Sequence, residues 1–338
     1  MIKVISNLPG LRDVTAPGLA VEFEPYAIGG GVRTVLRTFF RSFRYDYIVL
    51  NGMPWDLLLL CLFKMLMPFN PCRIVAIDVL FSQPRTWTER IKMRLRGLLL
   101  AQAHHIILYY KDTAALGRAL GLPQRKFKFL PFKINQFDLV TSSTPTDGGY
   151  IFCGGKTRRD FKTLIDAVQT LDYPTKIVTT RNEDIIRHGS YLDEEMDLPP
   201  HVQVVRLDGS AAPFIEHMAA SRLVVLPLIP DITGVGIGVY IMAMALKKCV
   251  VISAGPSVNG VLTDDLAIIV PAQDPAALRA AIVRAWTDNG LRTRVSSRAF
   301  AYARELGSDD KLGFNVATYL RDDLAGLPAP QRHTALSE

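Results

Sequence analysis

The chain has 338 residues, of which 49% are hydrophobic and 21% are charged. This length exceeds the usual size of one domain, and the composition is that of a core-rich globular protein, which excludes fibrous and disordered classes. The four cysteines lie apart in apolar segments without metal-ligand spacing, so we expect buried thiols. The first residues lack the layout of a signal peptide, and we expect a cytoplasmic protein.

The net charge of +7 is unevenly distributed. Residues 1–145 contain 19 basic and 9 acidic side chains, whereas residues 146–338 contain 20 and 23. All the excess positive charge therefore lies in the first half, which predicts a basic surface that faces an anionic partner.

The first half of the chain alternates short strands rich in β-branched residues with helical segments. Strands are predicted at 2–6, 47–50, 73–77 and 105–109, and helices at 32–44, 55–67, 87–103 and 113–120. The apolar helix at 55–67 is too short to span a bilayer. The polar, turn-rich segment 141–149 is the predicted linker.

The same alternation restarts after the linker. Strands are predicted at 150–153, 176–179, 202–206, 223–226, 250–253 and 268–270, and helices at 160–170, 212–219, 239–246, 275–286 and 310–324. Strands alternating with helices predict a parallel sheet covered on both faces. We therefore predict an α/β protein with two doubly wound domains, 1–143 and 149–325, a ligand cleft between them, and a disordered tail at 326–338.

Two loops of the second domain have phosphate-binding chemistry. Gly234, Gly236 and Gly238 form a glycine-rich turn between a predicted strand and a predicted helix, where backbone N–H groups could cradle phosphate. Such turns also close ordinary strand–helix junctions. Lys156, Arg158 and Arg159 follow another strand and could clamp a diphosphate, or could belong to a solvated loop in which Asp160 caps a helix.

These motifs carry a resemblance to a known family. The order FxGG…RD…TLIDA, a strand ending near Pro227, and GxGxxxxxMAMAxxKxVVIS resemble the C-terminal domain of GT-B glycosyltransferases, most closely family four. LGRALGLPQRKFKFLPFKIN resembles the end of their N-terminal domain. The resemblance implies two Rossmann-like domains and a hexosyltransferase-type enzyme of polysaccharide biosynthesis. It would use a nucleotide diphosphate sugar and a glycan or lipid-linked acceptor, retain the anomeric configuration, and need no cofactor or metal.

The resemblance also assigns roles to residues of the second domain. Arg159 takes the diphosphate role of the family's lysine, and the role of its arginine passes to Lys156 or Arg158. The backbone of Thr233, Gly234, Val235 and Gly236 would complete the diphosphate site. The family usually has a glutamate at each end of E-x7-E, but this chain has Gly234 and Met242 there. Asp231 could partly substitute in contacting the donor sugar or ribose.

The first domain has two candidate acceptor features. Gly29, Gly30 and Gly31 precede a helix that carries Arg33 and resemble the family's acceptor-side loop. Asp78 follows a predicted strand, where its carboxylate could act as a base or orient an acceptor hydroxyl, or could cap a turn. An inverting reaction with Asp78 as base also stays open.

The segment from Arg85 to Arg96 combines five cations with Trp87 and an apolar side. It predicts peripheral contact with anionic lipid at the inner face of the cytoplasmic membrane, or an ordinary helix with a solvated basic face. Nothing resembles a nucleic-acid recognition module. Two other functions remain open: a GT-B sugar-nucleotide epimerase, and a catalytically inactive partner-binding protein, suggested by the missing glutamates.

Overall fold

The computed structural model describes the whole chain except residues 13, 29–30, 53, 193–197 and 328–338. The strands are β1 (Ile2–Ser6), β2 (Thr15–Ala16), β3 (Leu19–Pro25), β4 (Tyr47–Asn51), β5 (Arg73–Ile77), β6 (His105–Leu108), β7 (Phe127–Phe129), β8 (Ile151–Gly154), β9 (Thr175–Thr179), β10 (Val202–Arg206), β11 (Leu223–Leu226), β12 (Cys249–Ser253) and β13 (Ile268–Val270).

The helices follow the same alternation. They are α1 (Gly31–Arg41), α2 (Pro54–Leu66), α3 (Trp87–Leu100), α4 (Ala114–Leu120), α5 (Phe137–Ser142), α6 (Phe161–Val168), α7 (Asn182–Arg187), α8 (Ala211–Ala219), α9 (Ile237–Ala245), α10 (Pro275–Thr287), α11 (Asn289–Leu306) and α12 (Asp309–Leu324). None of the helices in the described part of the chain is both long and apolar enough to cross a bilayer.

The chain divides into two compact units. The first contains residues 1–131 and the residues from Asp309 onward, and the second contains residues 132–308. The boundaries drawn from the sequence placed α12 in the second domain, whereas here it packs on the first unit. Gly10 and Gly313 explain the close approach, because a Cβ on Gly313 would lie 1.7 Å from the Gly10 carbonyl oxygen.

The first unit is built on a seven-stranded sheet with the order β2-β3-β1-β4-β5-β6-β7. All neighbouring strands are parallel except β2 and β3, which form an antiparallel hairpin. From β3 to β7 each helical crossover advances in the same direction across the sheet. Right-handed crossovers therefore place α1, α2, α3 and α4 side by side on one face, and consecutive helices of this layer are in contact.

The second unit is built on a six-stranded parallel sheet with the order β10-β9-β8-β11-β12-β13. Counted within the unit, this is the Rossmann order 3-2-1-4-5-6. The strand order reverses between the neighbours β8 and β11, so the helices that follow them lie on opposite faces of the sheet. Ligands of such sheets bind at this switch point, beyond the carboxyl ends of the strands.

Candidate functional site

Two loops meet at the switch point of the second sheet. The cationic loop (residues 155–159) follows β8, and the segment that leads to the glycine turn (residues 233–238) follows β11. An antiparallel bridge joins Arg159 to Leu228, and the Ile229 amide donates to the Arg158 carbonyl over 2.9 Å. The cationic loop is therefore hydrogen-bonded to the segment that leads to the glycine turn.

Arg159 is buried beneath these loops, with only 2% of its surface exposed. Its Nε donates to the Gly154 carbonyl over 2.7 Å and its Nη1 to the Thr157 carbonyl over 2.8 Å. No carboxylate of the described residues pairs with it, and burial lowers the pKa of its guanidinium to about 10. At neutral pH the side chain stays charged. A buried cation without a carboxylate partner is electrostatically suited to an anionic ligand.

Two glycines give this guanidinium its space. Gly155 has a φ of +109°, and a Cβ there would lie 2.6 Å from Arg159 Nη2. Gly236 has a φ of +84°, and a Cβ there would lie 3.6 Å from Arg159 Nη1. Because these positions border Arg159 from the two loops, its charge lies at the junction of the cationic loop and the glycine turn.

The glycine turn leads directly into α9. Gly236 is the left-handed residue before the helix, and its carbonyl accepts the amides of Val239 and Tyr240. The preceding amides of Ile237 and Gly238 have no acceptor within the helix, and they carry the partial positive charge of its N-terminus. Thr233 and Gly234 are buried, and Val235 is half-buried. The structure thus places a helix N-terminus beside Arg159.

Arg158 and Asp231 contact each other, although the sequence assigned them to different parts of the donor. Arg158 Nε lies 2.8 Å from Asp231 Oδ2, and both side chains are mostly buried. Arg158 has a left-handed φ of 52° and its guanidinium packs on Gly189. The pair connects the two loops, which is a positioning role that spacing alone did not indicate.

The other residues singled out in the sequence of the second unit lie either on the surface or in the packed part of the fold. Lys156 is exposed. Asp160 caps α6, because its Oδ1 accepts the Thr163 amide over 3.1 Å and its Oδ2 accepts the Thr163 hydroxyl over 2.8 Å. The capping interpretation of Asp160 is confirmed. Met242, at the second glutamate position of the family pattern, is buried on α9.

Asp78 lies directly after β5 in the first unit. Its amide donates to the Ile107 carbonyl over 3.0 Å, and its φ of 52° is left-handed. Burial raises the pKa of its carboxyl group to about 6. A carboxyl group with this pKa can exchange a proton near neutral pH, which suits a general base. Gly31 begins α1 and Arg33 is exposed on it, whereas Gly29 and Gly30 lie outside the described residues.

His104, His105 and Asp323 also lie close together in the first unit, with ligand atoms within 4.8 Å of one another. Asp323 already accepts from Tyr47 Oη over 2.7 Å, Arg73 Nη1 over 2.8 Å and His104 Nε2 over 2.9 Å. A metal ion on this carboxylate would meet the Arg73 guanidinium. We therefore assign the cluster to the attachment of α12 to the first sheet.

Comparisons with known proteins agree with this architecture. Residues 150–288 match the family described as Glycosyl transferases group 1. No curated protein matches the sequence. Among solved structures, Anabaena Alr3699/HepE in complex with UDP superposes with a TM-score of 0.62 at 18% identity, covering 91% of this chain and 86% of that one.

Two further structures have the same fold. Sucrose-phosphate synthase from Thermosynechococcus elongatus gives a TM-score of 0.64 at 18% identity, covering 87% of this chain and 79% of that one. A glycosyltransferase from Rickettsia africae gives 0.66 at 11% identity, covering 96% and 98%.

The two Rossmann-like sheets and these superpositions define the class: the chain has the GT-B fold of glycosyltransferases. The part of the chain that matches the group 1 glycosyltransferases, residues 150–288, is most of the second unit. The fold and the family resemblance predicted from the sequence are confirmed.

Proposed function

We propose that this protein transfers a hexose from a nucleoside diphosphate sugar to an acceptor, and that the second unit binds the donor. The observation that carries the proposal is the buried, carboxylate-free guanidinium of Arg159 beside the N-terminus of α9. A diphosphate supplies the negative charge that this arrangement lacks.

The same groups account for the chemistry. When the glycosidic bond to the donor breaks, negative charge grows on the departing diphosphate. Arg159 and the first amides of α9 are fixed in place before the reaction, so they stabilise that charge without reorganising. Groups that bind the leaving diphosphate more tightly than the intact donor lower the barrier. Arg158 and Asp231 hold the two loops at the required spacing, and exposed Lys156 adds charge at the rim.

UDP-glucose is the first donor to test. Anabaena Alr3699/HepE has been solved in complex with UDP-glucose, with a TM-score of 0.62 over 97% of this chain. The family pattern implies a retaining reaction. The acceptor is proposed to be a glycan or a lipid-linked sugar bound by the first unit, where Asp78 would orient or deprotonate its hydroxyl.

We also propose a membrane contact through α3, which would suit a lipid-linked acceptor. Trp87, Ile91 and Leu95 are exposed on this helix rather than turned into the core. Arg90 and Lys92 are exposed beside them. An exposed apolar row flanked by cations is the pattern of a helix that lies in the headgroup region of an anionic membrane.

The proposal is tested by melting temperature and by sugar release. UDP and UDP-glucose should raise the melting temperature of the wild type, because a ligand that binds only the folded state stabilises it. Arg159→Lys should lose most of that shift, whereas Arg294→Lys, at an exposed position of α11, should keep it. The absence of a shift with every nucleotide sugar would contradict the proposal.

Turnover separates the alternative functions. A transferase should release UDP faster when an acceptor extract is present. Conversion of UDP-glucose to an isomer without acceptor would instead show an epimerase. Binding of UDP-glucose without sugar release under any condition would show an inactive binding protein.

A further inference from the structure

The exposed apolar side chains of this protein are concentrated on one helical layer. Among the described residues, 20 large hydrophobic side chains are exposed, and 12 of them belong to α1, α2, α3 or the short turns that follow α1 and α2. The described residues of the second unit contribute three. Scattered exposed apolar residues are normal, but such a concentration marks an interaction surface.

Helix α1 contributes apolar and basic rows that lie side by side. Val32, Leu36 and Phe40 recur every four residues and are exposed. Arginines at 33, 37 and 41 occupy the adjoining row and are also exposed, although Arg41 Nη1 pairs with Glu24 Oε1 of β3 over 2.6 Å. Residues 31–44 contain no carboxylate. Since positions four apart lie on one side of a helix, α1 presents an apolar row edged by positive charge.

Aromatic rings connect α1 to α2. Phe43, just after α1, packs against Phe69, just after α2, with ring centroids 6.0 Å apart, and both rings are exposed. Leu66 adds an exposed side chain on the last turn of α2, and Trp55 is 73% exposed on its first turn. Because α2 also contacts α3, the exposed apolar side chains are distributed over three neighbouring helices.

The charge of this layer matches an anionic surface. Segments 31–44, 54–69 and 85–100 contain ten basic and two acidic residues. Their combined net charge of +8 exceeds the net charge of +7 of the whole chain. Two exposed tryptophans, Trp55 and Trp87, stand at the first turns of α2 and α3. Tryptophan prefers the boundary between water and hydrocarbon.

We propose that α1, α2 and α3 together form a docking surface for an anionic lipid bilayer. This deepens the membrane contact proposed above for α3 and rests on it, but it adds α1 and α2 as equal parts of the contact. A bilayer accounts for both properties of the layer, because its headgroups pair with the arginines while its acyl region accepts the projecting Phe, Leu and Trp side chains.

The tryptophans report the extent of docking directly. The chain has three, Trp55, Trp87 and Trp286, and the last stacks on Tyr173 in the second unit. In Trp→Phe variants that retain one tryptophan each, vesicles of phosphatidylcholine and phosphatidylglycerol with brominated acyl chains should quench Trp55 and Trp87 but not Trp286. Quenching of Trp87 alone would overturn the three-helix surface and leave contact through α3 in place.

A variant of α1 provides the second test. Arg37→Glu/Phe40→Ser should weaken partitioning onto these vesicles at least about fivefold, the factor expected for losing one basic contact. Ile186→Ser/Arg294→Glu, matched in chemistry but placed on exposed sites of the second unit, should partition like the wild type. Unchanged melting temperatures and UDP-induced shifts would show that both variants fold and that donor binding is a separate property.

Three other results would overturn the proposal. The first is equal partitioning of the α1 variant and the wild type onto the vesicles, and the second is binding to neutral phosphatidylcholine vesicles as tight as binding to anionic ones. The third is a concentration-dependent dimer of the wild type that the α1 variant does not form, when neither protein binds vesicles. The last result would assign the layer to a second copy of the chain. Failure of UDP to bind would contradict the donor proposal only.

Discussion

Arg158 Nε and Asp231 Oδ2 are 2.8 Å apart, and through this ion pair the loop after β8 is tied to the loop after β11. The Asp231 side chain is only 3% exposed and that of Arg158 only 15%. The pair lies beside the loops that surround Arg159, so it fixes the spacing of the candidate donor site without itself supplying free charge.

We predict that Asp231→Asn destabilises the second unit by about 3 kcal/mol, because it leaves a mostly buried guanidinium without its counter-charge. Arg158→Met/Asp231→Asn should recover part of that loss, since neither charge then remains. Urea unfolding of the single and double variants measures both effects. An Asp231→Asn protein as stable as the wild type would show that the pair is not coupled to the fold.

The Asp78 carboxylate should lower the stability of the folded protein at neutral pH while it supports sugar transfer. Burial raises its pKa to about 6 in the folded state, above the unfolded value of about 3.9. Its contribution to stability is therefore present at low pH and is lost as pH rises through about 6. Asp78→Asn should make the protein more stable at pH 7 by roughly 1 to 2 kcal/mol, while sugar transfer falls by at least about 100-fold.

Asparagine is the suitable replacement at position 78 because it tolerates the left-handed φ of 52°. Asp138→Asn, at an exposed position of α5, is the control and should change neither property. Unfolding curves at pH 5 and pH 7 with a transfer assay give the readout. Full transfer activity in Asp78→Asn would remove this residue from the mechanism.

The attachment of α12 should be sensitive to acid. Burial, with the nearby charges of His104 and Lys128, lowers the pKa of His105 to about 4, below the unfolded value of about 6.5. Its contribution to stability is present above pH 6.5 and is lost as pH falls towards 4. Between pH 7 and pH 5 the first unit should lose roughly 1 to 2 kcal/mol from this residue.

His105→Gln should flatten that pH dependence, whereas His201→Gln, in the second unit, should leave it unchanged. Asp323 acts in the same direction: although burial alone would raise its pKa, hydrogen bonds from Tyr47 and His104 lower it, so its contribution is also lost in acid. The measurement is the free energy of unfolding across this pH range. An unaltered pH profile in His105→Gln would contradict the assignment.

Much of this architecture follows from the sequence because its causes are local. The β-branched strands, the apolar helices and the glycine turn before α9 could be predicted from the spacing of a few residues. Strand β3 was missed, because its half-exposed residues do not form a continuous apolar run. The position of α12 could not be read either, since it depends on the approach of Gly10 to Gly313 across the sequence.

The candidate site was predictable in composition but not in the role of each cation. Lys156, Arg158 and Arg159 are equivalent in a sequence, whereas the left-handed turn at Arg158 sends neighbouring side chains to different places. One is exposed, one pairs with Asp231 and one is buried without a carboxylate. Those differences arise from tertiary contacts with the loop after β11.

Isothermal titration with UDP tests whether Arg159 and the glycine turn form one diphosphate site. The wild type should bind UDP, and Gly236→Ala should bind at least about tenfold more weakly, because a left-handed φ of +84° and Leu228 Cδ2 at 3.2 Å oppose a Cβ there. Gly255→Ala, where a Cβ has open space, should bind UDP like the wild type. Arg159→Lys should bind UDP weakly but uridine no differently from the wild type. Equal UDP affinity in the wild type, Gly236→Ala and Arg159→Lys would show that these residues do not form a diphosphate site.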